Sequence, residues 1–149
     1  MNTRTIRLAD VAPVPWRNGG GTTRELLAWP DAQHWQVRVS VAEVAADGPF
    51  SHFAGVERWF AVLEGAGVRL DIDGVAHEVR TDSAPLRFDG GARVHAALLA
   101  GPTLDFNLMA APGFATLQRL PGGVLRVASL ALVADYDTAR GELRVEAPA

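Results

Sequence analysis

The stretch WQVRVSVA, residues 35–42, decides the fold class because every second residue is apolar. Successive side chains of a β-strand point to opposite faces, so one face here is Trp and Val and the other carries Arg38 and Ser40. The same alternation recurs in LDFNL, where Asp105 and Asn107 form the polar row. These two segments predict β-strands that each have one aliphatic face and one polar face.

In the rest of the chain, turn residues separate short apolar runs, as is typical of a β protein. Asp73-Gly74 suits the positive φ angles of a hairpin turn. Further strands are predicted for residues 56–63, 68–79 (as a hairpin), 124–133 and 142–146. No window of a dozen residues keeps a 3.6-residue apolar repeat, so helices should be few and short. The predicted fold class is an all-β antiparallel barrel or sandwich.

Composition narrows the function classes. A chain of 149 residues with 48% hydrophobic residues can bury one core. Its net charge of -3 gives no electrostatic footprint for nucleic acid or anionic lipid. The absence of cysteine excludes disulfides, thiolate nucleophiles and Cys-ligated zinc. The sequence also lacks a signal-peptide pattern and the roughly 20-residue apolar run of a membrane span. We expect a cytoplasmic protein with no nucleic-acid or membrane partner.

An unusual glycine triplet interrupts WRNGGGTTRE, residues 16–25. Gly19, Gly20 and Gly21 permit positive φ and close backbone approach, and their amides suit an anion-binding concavity. The alternative is a tight loop that crosses a barrel edge. It is not a nucleotide signature, because the Gly-Lys-Ser/Thr of a P-loop and the GxGxxG pattern are both absent.

Two other features leave the choice between binding and structure open. The loop DGPFSHFAG, residues 47–55, places two aromatics and His52 between strands, where binding groups often lie, but its Phe residues would also plug a barrel mouth. The polar strand faces would line a pocket if turned inward and would meet solvent if the aliphatic rows pointed inward. Periodicity alone does not choose between these faces.

Neither a metal site nor a nucleophile stands out. The four histidines occur singly, without a His-x-His pair or a suitably placed third ligand, and no Gly-x-Ser-x-Gly elbow is present. We therefore expect no cofactor, no metal and no assigned catalytic residue.

In combination, three segments resemble the HutD/Ves family: WRNGGGTTREL, WQVRVSVAEVAADGPFSHFAGVERWFAVLEGAGVRL and LRFDGGARVHAALLAGPTLDFNLM, which together span Trp16 to Met109. The resemblance implies a cupin-like fold of the bicupin type without an obligatory metal. It predicts one domain over residues 1–149, in which residues 1–109 carry the family motifs and residues 110–149 form a shortened second half. A homodimer that completes this half is left open.

The resemblance also implies a ligand pocket. Its predicted members are Trp16, Asn18, Gly19, Gly20, Gly21, Arg24, Glu25, Arg38, Ser40, Asp47, Phe50, Ser51, Arg58, Asp105 and Asn107. Arg38 is expected to bind a ligand carboxylate, and Asn18 and Asn107 an amide or formyl group. Asp105 would orient an arginine or a ligand donor, and the glycines would let the backbone approach.

The function implied by this resemblance is small-molecule binding. HutD members are encoded with histidine-utilisation genes and have been proposed to bind a pathway intermediate such as N-formylglutamate, whereas Ves members are linked to stress and cold. We expect a regulatory binding protein rather than an enzyme. One alternative is a metal-independent isomerase or hydrolase that uses Glu25, Asp47, His52 or Asp105 as acid or base. Another is a stress-related interaction protein.

Overall fold

A computed structural model describes residues 1–148 of the chain. These residues form fifteen strands and one short 3₁₀ helix, Leu8–Asp10. In chain order the strands are β1 Asn2–Arg7, β2 Val14–Pro15, β3 Gly21–Trp29, β4 Val37–Val44, β5 Gly48–Pro49, β6 Glu57–Glu64, β7 Val68–Ile72, β8 Val75–Val79, β9 Leu86–Asp89, β10 Val94–Leu98, β11 Thr103–Ala110, β12 Ala115–Leu120, β13 Val124–Ser129, β14 Val133–Asp137 and β15 Glu142–Ala147. The predicted all-β class is confirmed.

The strands form three antiparallel sheets. The central sheet has six strands in the order β2-β3-β4-β11-β6-β9. A five-stranded sheet has the order β1-β15-β14-β13-β12, and a four-stranded sheet the order β5-β10-β7-β8. In the central sheet β11 lies between β4 and β6, with Phe106 opposite Val41 on one side and Ala61 on the other.

The two faces of the central sheet belong to two separate hydrophobic clusters. Val39, Phe106 and Leu108 share one hydrophobic cluster with Leu125 and Tyr136 of the five-stranded sheet. The opposite face contributes residues such as Phe60 and Val62 to a second cluster, which also contains Leu70, Val94 and Ala96 of the four-stranded sheet. The central sheet is therefore the middle layer of three.

This layering answers the question that periodicity left open. The aliphatic row of β4 is buried against the five-stranded sheet. The polar row is turned inward as well, because Ser40, Asp105 and Asn107 are all buried on the other side. Both rows are thus largely inside the molecule because the sheet is covered on both faces, and of the polar row Arg38 keeps 24% of its side chain exposed.

The hairpin predicted for residues 68–79 is present. β7 pairs with β8 from Val68 opposite Val79 to Ile72 opposite Val75. Asp73 and Gly74 have φ angles of 48° and 86°, the positive values of a two-residue turn that matches the twist of its strands.

The C-terminal part differs from the sequence expectation in detail. Residues 124–133 are divided between β13 and β14 because the Ser129 hydroxyl accepts hydrogen bonds from the amides of Ala131 and Leu132. Residues 115–147 supply four strands of the five-stranded sheet, and β1 supplies the fifth. The bicupin arrangement and the shortened second half stay predictions. Within residues 1–148, no helix has the length and apolar character needed to cross a bilayer.

Candidate functional site

A cavity of about 840 Å³ lies against the polar face of the central sheet. Its walls come from β2 to β6, from β11 and from the loops after β2 and β5. The lining residues are Val14, Pro15, Trp16, Arg17, Asn18, Thr23, Glu25, Arg38, Ser40, Ala42, Val44, Pro49, Phe50, Ser51, Phe53, Arg58, Phe60, Asn107 and Met109. This volume falls in the range of pockets that enclose small organic ligands.

Strand register arranges the floor of the cavity in rows. Met109 of β11 lies between Arg38 of β4 and Arg58 of β6, which puts both guanidinium groups in one row. The next row contains Ser40, Asn107 and Phe60, with Glu25 opposite Ser40 on β3. Residues that share a row are distant in sequence, so the antiparallel ladders alone bring this chemistry together.

Arg58 is a buried cation without an acidic partner. It is 6% exposed and forms no ion pair with any carboxylate among residues 1–148. Its guanidinium carbon lies 5.4, 5.5 and 5.2 Å from the ring centroids of Phe50, Phe53 and Phe88, within cation–π range.

The hydrogen bonds of Arg58 are few and long. Its Nη1 and Nη2 donate to the Ser51 carbonyl and to Asn107 Oδ1, both at 3.4 Å, and its Nε has no partner. Burial, and then repulsion from Arg38, lower the pKa of Arg58 to about 10. The group still carries its charge at pH 7, so the cavity holds a cation with unused donors.

Arg38 differs from Arg58 because it has a carboxylate partner. Its Nε donates to Glu25 Oε1 at 2.8 Å. The Phe53 ring lies 5.9 Å from the guanidinium carbon of Arg38 and 5.5 Å from that of Arg58. One aromatic ring of the loop after β5 therefore contacts both cations.

Trp16, which precedes the glycine triplet, forms part of the cavity wall. Trp16 Nε1 donates to the Thr23 hydroxyl at 2.8 Å, and the indole meets Phe50 edge-on at 6.0 Å. A Cβ at Gly21 would stand 3.2 Å from the Trp16 ring and 2.2 Å from the Glu43 carbonyl oxygen. A glycine is therefore needed chiefly for β3 to approach the β4 backbone at Glu43, and it also leaves room for the indole.

Asp105 lies one row beyond Asn107, opposite Ala42 and Val62. It is fully buried; its Oδ2 accepts a 2.9 Å hydrogen bond from the Thr103 hydroxyl and its Oδ1 has no partner. Burial raises the pKa of Asp105 to about 7, against the opposing effect of the Thr103 hydrogen bond. A carboxyl group in such a setting holds its proton near neutral pH.

The HutD family model matches residues 8–138. The chain belongs to the HutD family. Its match extends beyond the motifs between Trp16 and Met109 at both ends. Protein Ves of Citrobacter koseri is 39% identical over 108 residues, which are 67% of this chain and 55% of that protein. The chain thus spans a little over half the length of the curated relatives it matches.

Two solved structures share the fold over nearly the whole chain. HutD from Pseudomonas fluorescens SBW25 is 30% identical with a TM-score of 0.77, covering 98% of this chain and 94% of that one. A conserved protein of unknown function from Pseudomonas aeruginosa PAO1 is 32% identical with a TM-score of 0.83, covering 99% and 87%. A Cupin_2 domain from an Enterobacter cloacae XRE family regulator, 20% identical with a TM-score of 0.51 over 62% of this chain and 98% of that one, shows that the fold is cupin-like.

The cavity of this HutD family member gathers nine of the fifteen predicted site residues, which are Trp16, Asn18, Glu25, Arg38, Ser40, Phe50, Ser51, Arg58 and Asn107. The other six, Gly19, Gly20, Gly21, Arg24, Asp47 and Asp105, are outside the lining. Ligand binding by any of them stays a prediction.

Local hydrogen bonds explain several of the outside positions. Arg24 Nε donates to the Val11 carbonyl, and Asp47 accepts from the Leu98 amide at 2.8 Å. The Gly19 amide donates to the Trp16 carbonyl and the Gly20 amide to Asn18 Oδ1. These two amides are used within the loop, which favours the tight-loop interpretation of the triplet over an anion-binding concavity.

Several lining residues had a sequence signal that was not used. Thr23 and Arg17 belong to the glycine motif, and Phe60 and Met109 stand two positions after Arg58 and Asn107 on the same strand faces. The period-two rule that identified the polar rows therefore also places these neighbours on the cavity side.

The polar groups of the cavity suit an organic anion. A guanidinium with free donors binds carboxylates, and Asn and Ser side chains supply both donors and acceptors for an amide. Among the described residues, no group of three or more His, Asp or Glu side chains is arranged to hold a metal ion.

Proposed function

We propose that this HutD family member binds a small carboxylate-bearing molecule in the cavity and acts as a regulatory protein of histidine degradation, with N-formylglutamate as the first candidate ligand. The observation that carries the proposal is Arg58, a buried cation with free donors at the cavity wall. The proposal includes a cytoplasmic location, in keeping with a sequence that has no cysteine.

A buried charge without a counterion is costly, and aromatic faces and long hydrogen bonds offset only part of that cost. An anion beside Arg58 would add charge-assisted hydrogen bonds, each worth about 1.5–3 kcal/mol. It would also relieve the repulsion between Arg58 and Arg38. The unliganded cavity is therefore electrostatically prepared for a carboxylate.

The neighbouring groups complete the proposed recognition. The ligand carboxylate binds Arg58, and Arg38 adds attraction while Glu25 holds it in place. Asn107 lies in the adjacent row, where its Nδ2 can donate to a formyl or amide oxygen. Asn18 lies at the exposed rim with its Oδ1 bound to the Gly20 amide, so its Nδ2 is the group that faces a ligand acceptor.

The regulatory part of the proposal draws on relatives. The Pseudomonas fluorescens relative is named HutD, and a Pseudomonas putida relative is described by its position in the hutC 3′ region. These names connect the family with histidine-utilisation genes. A small acidic intermediate of that route has the chemistry that the cavity favours.

The test is calorimetric titration with N-formylglutamate, and with glutamate, urocanate and histidine as comparators. We expect saturable binding of N-formylglutamate, weakened about tenfold or more in Arg58→Met and to a smaller degree in Arg38→Ala. Arg69→Met is the matched control, because Arg69 is exposed on β7 outside the cavity.

The outcomes separate three cases. Flat titrations with all four compounds would overturn the proposed ligand class. Equal affinities in the wild type and Arg58→Met would overturn the site. Chromatography of the titrated samples checks for turnover, and a product would replace the regulatory function with an enzymatic one.

A further inference from the structure

The cavity changes character along its length. At one end are the charged row, Arg38 and Arg58, and the polar row, Ser40 and Asn107. Further along β4 the lining continues with Ala42 and then Val44.

Aromatic rings run from the charged row to this second end, because Phe50 lies 5.4 Å from the Arg58 guanidinium carbon and Trp16 binds Thr23, the partner of Ala42 on β3. Trp16 meets Phe50 at a centroid distance of 6.0 Å, and Phe50 meets Phe60 at 6.0 Å. The short strand β2 closes the wall with Val14 and Pro15. The second end of the cavity is thus mainly apolar, with Thr23 tied to the Trp16 indole.

The ligand of the proposed function does not fill this space. A molecule of about a dozen non-hydrogen atoms, such as N-formylglutamate, leaves much of a cavity of 840 Å³ to water. Water against Ala42, Val44 and the aromatic rings loses the favourable burial that an apolar group would gain. The apolar end, which this ligand does not reach, is the least favourably hydrated part of the cavity.

The polar row, which adjoins the apolar end, is suited to an amide. Glu25 Oε1 is bound to Arg38, which leaves Oε2 to accept an amide N–H. Asn107 Nδ2 and the Ser40 hydroxyl can donate to the amide oxygen. Successive rows on one face of a strand are about 7 Å apart. A formyl group attached at this row stops short of the apolar end, whereas a chain of several carbons reaches it.

We infer that the cavity binds N-acylated amino acids whose acyl group is longer than formyl. The carboxylate binds the Arg58 row, the amide lies at the Asn107 row, and the acyl chain packs along Ala42 and Val44 under the Trp16 and Phe60 rings. This inference rests on the proposed function, because it uses the same carboxylate site.

The experiment is calorimetric titration of the full chain with N-formyl-, N-acetyl-, N-butyryl- and N-hexanoylglutamate. Each methylene that becomes buried should tighten binding about fourfold. The heat-capacity change of binding should become more negative with chain length, because it follows buried apolar area. This second readout needs no variant.

Ala42→Leu fills the apolar end and tests the location. We expect the variant to lose the gain from longer chains, and its thermal denaturation, compared with that of Ala76→Leu, reports that it is folded. Ala76→Leu is the matched control, because Ala76 is exposed on β8 and lies outside the cavity. It should retain the full gain.

The results distinguish this inference from the proposed function. If N-formylglutamate binds but affinity and heat capacity do not change with chain length, the inference fails and the proposed function stands. If no member of the series binds, both fail. If the gain persists in Ala42→Leu, the acyl chain lies elsewhere and the inference is overturned.

Discussion

Phe106 and Asn107 are neighbours on β11, but Phe106 lies in the hydrophobic core and Asn107 lines the cavity. Phe106 is fully buried against the five-stranded sheet, with its ring 5.3 Å from that of Tyr136. Asn107 faces the cavity and accepts only a long hydrogen bond from Arg58. One face of the central sheet packs against the five-stranded sheet, and the other borders the cavity with free polar groups. Stability and binding are therefore assigned to alternate residues of the same strands.

The largest expected loss of stability comes from a substitution on the face that packs against the five-stranded sheet. Phe106→Ala should lower the free energy of unfolding by about 3–5 kcal/mol, the usual cost of removing a buried aromatic side chain and leaving a cavity. Urea denaturation measures the loss. Asn107→Ala is the control on the other face and should cost about 1 kcal/mol or less. Equal losses would contradict the division between the faces.

The second prediction concerns the pH dependence of stability. The folded chain binds the Asp105 proton more tightly than the unfolded chain does, because burial raises its pKa from the ordinary 3.8 to about 7. This group therefore lowers the free energy of unfolding as pH rises from about 4 to about 7. Ala42 and Val62, which face it from the adjacent strands, bring no charge.

Asp105→Asn keeps the shape and removes this titration. At about 1.4 kcal/mol per pKa unit, the stability of the variant relative to the wild type should rise by about 2–3 kcal/mol between pH 5 and pH 8. Urea denaturation at the two pH values gives the comparison, in which the other carboxyl groups cancel. A difference that is the same at both pH values would show that Asp105 does not titrate in this window.

The third prediction is a substitution in the cavity that does not lower the free energy of unfolding. Arg58→Met should leave the free energy of unfolding unchanged or raise it by about 1 kcal/mol, because a buried unpaired charge is replaced by an apolar chain among Phe rings. Thermal denaturation measures it, and Arg69→Met should lie within about 0.5 kcal/mol of the wild type. A loss of several kcal/mol would mean that Arg58 supports the fold rather than the site.

The smallest expected effect concerns Thr23, at the apolar end of the cavity. Thr23→Val removes the acceptor of the Trp16 indole and should cost about 0.5–1 kcal/mol. Tryptophan emission should shift as the Trp16 ring loses its fixed position, with Thr116→Val as control because Thr116 is exposed on β12. Unchanged emission would show that packing against Gly21 alone holds the ring.

Local patterns predicted the parts of this structure that depend on local physics. Asp73-Gly74 gave the correct hairpin because the turn angles are a property of those two residues. The division at Ser129 was missed because the apolar run after it has the same composition as a strand, and only the hydroxyl hydrogen bonds reveal the turn.

The site was harder to predict because it depends on layers and register. The alternation in residues 35–42 showed two faces, but only the two covering sheets show that both are buried. Arg58 drew attention through a motif that also holds Phe50 and Phe53, whereas its third Phe neighbour, Phe88, comes from the distant β9. Asp47 looked like a pocket residue, yet its partner is the distant Leu98 amide.

The pairing of β1 with β15 joins Asn2 to Ala147 and Arg7 to Glu142. During synthesis, the strands of the two sheets that hold the cavity are all present once residue 110 has left the ribosome. β1 is synthesised long before its partner β15, and the aliphatic face of the central sheet stays uncovered until the five-stranded sheet forms. Such long-range pairing slows folding and prolongs exposure of apolar surface. The ligand site can thus form before the sheet that covers its reverse side.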